Sequence, residues 1–231
     1  MIEKIKKYFT RAELILWFCS VTLIALSFLI FDRGSYLTLA ASLIGVSAIL
    51  FNAKGNPIGQ LLIVIFSIMY GAISYSFAYY GEMITYLGMT MPMAILALIS
   101  WLKNPFEGKR SEVKVNRLGG AEYVIMTVLT VFVTAVFYFI LSRLGTANII
   151  PSTLSVATSF AAVYLTFRRS PLFSLFYAAN DVVLIILWVL ASLENSGYVS
   201  VVACFFAFFA NDVYAFVSWR RMERRQSNKT E

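Results

Sequence analysis

Residues 172–192 read LFSLFYAANDVVLIILWVLAS, and Asp181 is the one charged group among them. At about 1.5 Å per residue, a helix over this stretch is roughly 30 Å long, the thickness of a bilayer's hydrocarbon core. The stretch therefore reads as a transmembrane helix. Working outward, long apolar runs bounded by charge or by Gly and Pro recur near residues 13–31, 36–52, 58–80, 83–102, 121–142, 150–167 and 198–219. The predicted fold is an all-α polytopic membrane protein with eight transmembrane helices in one membrane domain over 1–231. The first run follows a basic start, as a signal peptide would, but it is too long, lacks a small-x-small cleavage pattern and leads straight into a second span. It is read as an uncleaved helix.

Composition excludes the alternatives. Of the 231 residues, 60% are apolar and 13% charged, whereas soluble domains carry roughly 25% charged residues. A soluble enzyme, a disordered chain and a disulfide-built secreted domain are ruled out. With no histidine in the chain, His-ligated metals, Ser-His and Cys-His nucleophiles and imidazole proton relays are ruled out too. Cys19 and Cys204 lie far apart inside apolar runs and make no metal-ligand spacing, so they read as small apolar fillers. Neither a metal nor a cofactor is expected.

The net charge of +7 has a distribution that explains it. Lys4, Lys6, Lys7 and Arg11 precede the first span, and Lys54 follows the second. Lys103, Lys109, Arg110, Lys114 and Arg117 follow the fourth, Arg168 and Arg169 the sixth, and Arg220, Arg221, Arg224, Arg225 and Lys229 the eighth. The alternate loops hold only Arg33 and Arg143 of the 19 basic residues. Cytoplasmic loops attract Lys and Arg, so both termini are expected in the cytoplasm of a cell that carries this protein in its plasma membrane. The basic surplus is thus a topology signal, and no nucleic-acid partner is expected.

Spans two to four resemble spans six to eight. Each triplet opens with a helix ending in a basic turn that carries a Pro, Lys54-Gly55-Asn56-Pro57 in one and Arg168-Arg169-Ser170-Pro171 in the other. Each has an outer turn with a Gly, Gly81 or Gly197, and each closes on Ser100-Trp101 or Ser218-Trp219 followed by a basic residue. The expected plan is an extra helix over 13–31, a first repeat over 36–102, a linking helix over 121–142, a second repeat over 150–219 and a basic tail over 220–231. Because one helix crosses between them, the repeats are parallel, as in some transporters. Chance likeness among apolar helices is the competing explanation.

A carboxylate at the bilayer centre costs roughly 2.5–3.5 kcal/mol on insertion scales, which makes Asn180-Asp181 and Asn211-Asp212 the informative dipeptides. Asp181 falls near mid-depth, while Asp212 lies closer to the basic end, where partial hydration is expected. Two readings stand for these groups: a ligand site, or interhelical hydrogen bonds at about 0.6 kcal/mol each. Phe173, Phe176 or Tyr177, Asn180, Leu184 and Trp188 recur along one helix face. Aromatic rings around an amide suit a planar ligand, although an aromatic stripe also suits plain packing. Tyr70 and Tyr214 add amphipathic rings. Glu82, beside Gly81, either stands solvated or attracts a cationic substrate.

The pattern Lys54-Gly55, Tyr70, Tyr80-Gly81-Glu82, Pro92-Met93 and Trp101, resumed at Arg168 or Arg169, Asn180, Trp188, Asn211, Tyr214 and Trp219, resembles the PnuC family of nicotinamide riboside and related vitamin transporters. The resemblance covers nearly the whole chain after the first helix. It implies three plus one plus three helices behind an extra one, and facilitated diffusion of an unphosphorylated vitamin or nucleoside. It further implies trapping by a cytoplasmic kinase, a role in NAD biosynthesis, and self-association as an open possibility. On this resemblance the substrate-binding candidates are Asn180, Asp181, Trp188, Phe176, Phe173, Tyr177, Tyr70, Asn211, Asp212 and Tyr214.

Departures bear on the substrate. Ala94 stands where riboside carriers tend to have Gln, Phe173 and Phe176 replace two Trp, and Phe66 and Tyr86 replace two Asn. Apolar rings in place of polar contacts admit thiamine, riboflavin or a deoxynucleoside. An intramembrane aspartyl enzyme built on Asp181 and Asp212 would need a Tyr-Asp and Gly-x-Gly-Asp context, which is absent. Two acids 31 residues apart are thin support for a metal-dependent lipid phosphotransferase. A receptor-like protein with no transported ligand is the remaining class.

Overall fold

In the computed structural model, which describes residues 8–76, 80–146 and 148–229, eight helices are long and apolar enough to cross a membrane. They are α1 Arg11–Phe31, α2 Tyr36–Ala53, α3 Ile58–Ser76, α4 Tyr80–Lys103, α5 Gly120–Arg143, α6 Ile149–Phe167, α7 Phe173–Ser192 and α8 Val199–Ser227. Lys4, Lys6 and Lys7 of the basic start, residues 77–79 of the expected third span and the last two residues of the tail lie outside the described residues.

Helix α1 begins at a capping box. The Thr10 hydroxyl accepts from the Glu13 N–H at 3.2 Å, and Glu13 Oε2 accepts from the Thr10 N–H at 2.7 Å, which satisfies two donors that a helix start leaves unpaired. Glu13 is buried, and its carboxylate also takes Lys54 Nζ at 3.1 Å and the Tyr214 hydroxyl at 3.1 Å. One carboxylate therefore fastens α1 to the end of α2 and to α8. Elsewhere α1 and α5 turn large apolar side chains such as Ile15, Phe18, Phe132 and Phe139 outward, where the bilayer accepts them.

The two triplets are interlocked at their basic ends. Helix α2 ends with the Gly55 N–H on the Asn52 carbonyl and the Asn56 N–H on the Phe51 carbonyl; α6 ends with the Arg169 N–H on Thr166 and the Ser170 N–H on Leu165. Both turns need a left-handed residue: Gly55 at φ 64° adopts it freely, whereas Arg169 holds it at φ 58°. Each triplet's closing helix then binds the other's opening helix. Trp101 Nε1 donates to the Thr166 carbonyl at 2.9 Å, and Trp219 Nε1 donates to Asn52 at 2.7 Å. The Ser100 and Ser218 hydroxyls donate to the carbonyls of Phe167 and Ala53, at 3.0 and 2.7 Å. This crossed clasp gives the repeated Ser-Trp ends a structural purpose. Trp101 and Trp219, both fully buried, meet at 5.4 Å between ring centroids.

Two segments depart from expectation. The chain between α4 and α5, expected as a loop, carries an antiparallel hairpin of β1 Pro105–Phe106 and β2 Lys109–Val113. The basic tail expected from 220 continues instead as α8 through Ser227. The reason is a second periodicity hidden among the arginines: Trp219, Met222, Glu223 and Gln226 fall on one buried face. Gln226 donates to the Val113 carbonyl at 3.0 Å and accepts from the Val115 N–H at 2.8 Å, while Glu223 pairs with Arg117 and Arg220.

Helix α4 widens to a π-helical turn over Thr85–Thr90 just before Pro92. Proline has no N–H to give the carbonyl four residues back, and its ring would collide with that carbonyl. The Met91 N–H reaches the Tyr86 carbonyl instead. Such a turn re-aims the side chains it carries, and here it carries Tyr86 and Thr90.

Candidate functional site

The expected stripe on α7 splits in two. Residues eight apart share a helix face but stand about 12 Å apart along its axis. Phe173, Tyr177, Asn180 and Asp181 line a central cavity between the triplets, whereas Trp188 lines a separate one toward the opposite end. The central cavity is completed by Asn52 of α2, Phe66 of α3, Tyr86 and Thr90 of α4, Ser159 of α6, and Phe205, Phe208 and Asp212 of α8.

At its centre, Asp181 meets Asp212. The two acids, on α7 and α8, line the same small space and face one another electrostatically. Both are buried, Asp212 included, although it lies nearer the basic end of its helix. No Lys or Arg lines the cavity, no ion pair among the described residues reaches either acid, and Asp181 Oδ2 has no partner. Two like charges buried side by side would repel at low dielectric. The arrangement thus offers an acceptor pair in need of a proton or a cation.

Asn180 stands beside it. Its carbonyl oxygen accepts from the hydroxyls of Ser155, Thr158 and Ser159 of α6, at 3.2, 2.9 and 3.0 Å. The amide's acceptor is therefore taken up within the protein, and its N–H donors are the groups left to address a ligand. Asn52, which the sequence did not single out, is held by Gln60 Nε2 at 2.8 Å.

The remaining candidates lie elsewhere. Phe176 packs toward the Trp101–Trp219 clasp. Tyr70 sits outside the central cavity, its ring 4.4 Å from that of Tyr86 and 5.4 Å from that of Phe66. Asn211 Nδ2 donates to Ser20 on α1 at 2.7 Å and to the Ala207 carbonyl at 2.7 Å, and Tyr214 bonds Glu13. Asn211 and Tyr214 therefore face the N-terminal helix. Nothing in single-chain spacing marks which face of α8 meets α1.

The central space is small, about 60 Å³, against the roughly 300–1,000 Å³ usual for small-molecule sites. Packed rings flank it: Tyr86 against Tyr70 at 4.4 Å, and Phe173 against Trp219 at 4.9 Å. A vitamin-sized ligand enters only if these layers part.

Comparison with known proteins bears on this geometry. Residues 35–221 match the protein family described as nicotinamide mononucleotide transporter. The chain is 25% identical over 205 residues to the nicotinamide riboside transporter PnuC of Neisseria mucosa, covering 87% of this chain and 78% of that one. Its fold is similar to the crystal structure of the vitamin B3 transporter PnuC, with a TM-score of 0.81 at 24% identity over 94% of both chains.

Proposed function

Because this chain belongs to the nicotinamide mononucleotide transporter family, and is thus a multi-pass membrane transporter rather than an enzyme, we propose that it takes up nicotinamide riboside or a close vitamin or nucleoside relative by facilitated diffusion. In this reading it lies in the plasma membrane with both termini in the cytoplasm. A cytoplasmic kinase there phosphorylates the arriving solute and so traps it. The triplets over 36–102 and 150–219 act as the moving units. Their central cavity holds the ligand, with the Asn180 N–H groups orienting it and Phe173, Tyr177 and Tyr86 against its ring.

The observation that carries this reading is the Asp181–Asp212 pair set among aromatic rings without a cation of the protein's own. A carboxyl pair with aromatic walls favours a positively charged ring over a neutral one. That favours nicotinamide riboside or thiamine over riboflavin or a deoxynucleoside. The test is uptake of these four labelled solutes into liposomes containing the purified protein, with no ion gradient. Equilibration of a cationic solute, and accumulation only when ATP and a kinase are enclosed, is the expected result. Concentrative uptake driven by a pH or sodium gradient alone would sink the passive mechanism. Asp181→Asn should weaken the cationic solutes while leaving neutral ones nearly unaffected.

A further inference from the structure

The second cavity, of about 140 Å³, lies at the end of the bundle opposite the Trp101–Trp219 clasp. Glu82 at the start of α4 forms one wall, Trp188 of α7 another, and Thr146, Asn148 and Ser152 complete its polar lining. Glu82 is only 6% exposed, and its Oε2 has no hydrogen-bond partner. No Lys or Arg lines the space, and none of the ion pairs among the described residues involves Glu82.

The backbone is arranged to bring that carboxyl there. A Cβ on Gly81 would lie 2.5 Å from Leu141 Cδ2 and 3.1 Å from Thr146 Oγ1, so glycine lets the start of α4 press against α5 and the following turn without displacing Leu141. Trp188 is buttressed from behind by Tyr198, with ring centroids 5.4 Å apart. Between this space and the central cavity lies Tyr70, packed in one buried cluster with Trp188 and Tyr86, its ring tilted against that of Tyr86 at 4.4 Å.

A buried carboxyl oxygen without a partner is costly unless a cation or a donor arrives. A braced indole face and neutral oxygen donors beside it are the other parts of a site for an organic cation. We infer that this outer cavity is a loading site for a cationic solute, with Glu82 as counter-ion and Trp188 as the ring wall. It stands in series with the Asp181–Asp212 cavity, and the Tyr70–Tyr86 pair forms the barrier between them. The inference rests on the proposed transport of a vitamin or nucleoside between the triplets, and it assigns the selection of charge to a place that the cargo meets before the central site.

The test compares nicotinamide riboside and thiamine with neutral uridine in liposomes containing the full-length protein. Glu82→Gln should raise the KM of both cations about tenfold, the size of one lost charge-assisted contact, with the maximal rate and the KM of uridine moving less than twofold. Glu82→Asp, which keeps the charge, should recover most of the loss. As an independent readout, the pyridinium ring of nicotinamide riboside should quench indole fluorescence in an Asn180→Leu protein, whose central site is impaired, and Trp188→Phe should abolish that quench. Equal loss for cations and uridine together with early thermal unfolding would make Glu82 a packing residue and overturn the inference. So would an unchanged KM for the cations. Transport of uridine alone overturns the inference while leaving the transporter reading intact, and transport of none of the probes overturns both.

Discussion

Asn180 shows how one side chain can serve packing and recognition at once. Its carbonyl oxygen collects three α6 hydroxyls, and the residue lines the central cavity with its amide N–H groups left over. Asn180→Leu should therefore weaken ligand binding about 5- to 150-fold, from roughly 1–3 kcal/mol for an unpaired ligand group. It should also lower stability by about 1 kcal/mol, because the Ser155 and Ser159 hydroxyls lose this acceptor while Thr158 keeps the Leu154 and Ser155 carbonyls; the sequence alone suggests near-normal stability. Ser159→Ala removes one of those donors and should cost well under that, with binding little changed. Thermal unfolding and equilibrium binding on the same preparations check both. If Asn180→Leu binds normally and only unfolds early, the amide is interhelical glue and the proposed site is wrong.

At the scale of elements, the crossed clasp makes the two triplets mutually dependent. Trp101 and Trp219 each donate to the last turn of the opposite triplet's first helix and touch one another. Trp101→Phe and Trp219→Phe keep one aromatic ring but remove a buried hydrogen bond and some packed volume each, so each should cost about 1–3 kcal/mol or more by thermal unfolding in detergent. The two losses should be similar, and the double variant non-additive because the rings are in contact. A large loss for one and none for the other would mean that the clasp is not shared. The repeated Ser-Trp ends were legible from sequence. Their exchange between triplets was not, because a hydrogen bond to a helix-end carbonyl leaves no trace in the residue that supplies it. The hairpin and the extension of α8 escaped for a related reason: Met222, Glu223 and Gln226 form a buried face only once Val113 and Arg117 stand opposite them.

For the whole molecule, the 19 basic residues fall in alternate segments between the spans, apart from Arg33 and Arg143. Reporter fusions at the two termini should both report a cytoplasmic location; a C-terminus outside the cell would contradict the orientation drawn from the positive-inside rule. The number of the spans and their approximate positions were determined by sequence alone, because hydrophobic thickness and backbone satisfaction in lipid are properties of each segment taken singly. The family was legible for a similar reason, since its motif residues recur at fixed spacing within each triplet. Rotation of the helices about their axes was not legible. Lipid is as apolar as a helix interior, so an all-apolar span gives little sign of which face looks inward. Only the tertiary structure therefore brought Asp181 to Asp212 across 31 residues of chain, turned Asn211 and Tyr214 toward α1, and separated Trp188 from Asn180 into a second cavity with Glu82. Each of these depends on the packing of two or more helices, which no single stretch of sequence encodes.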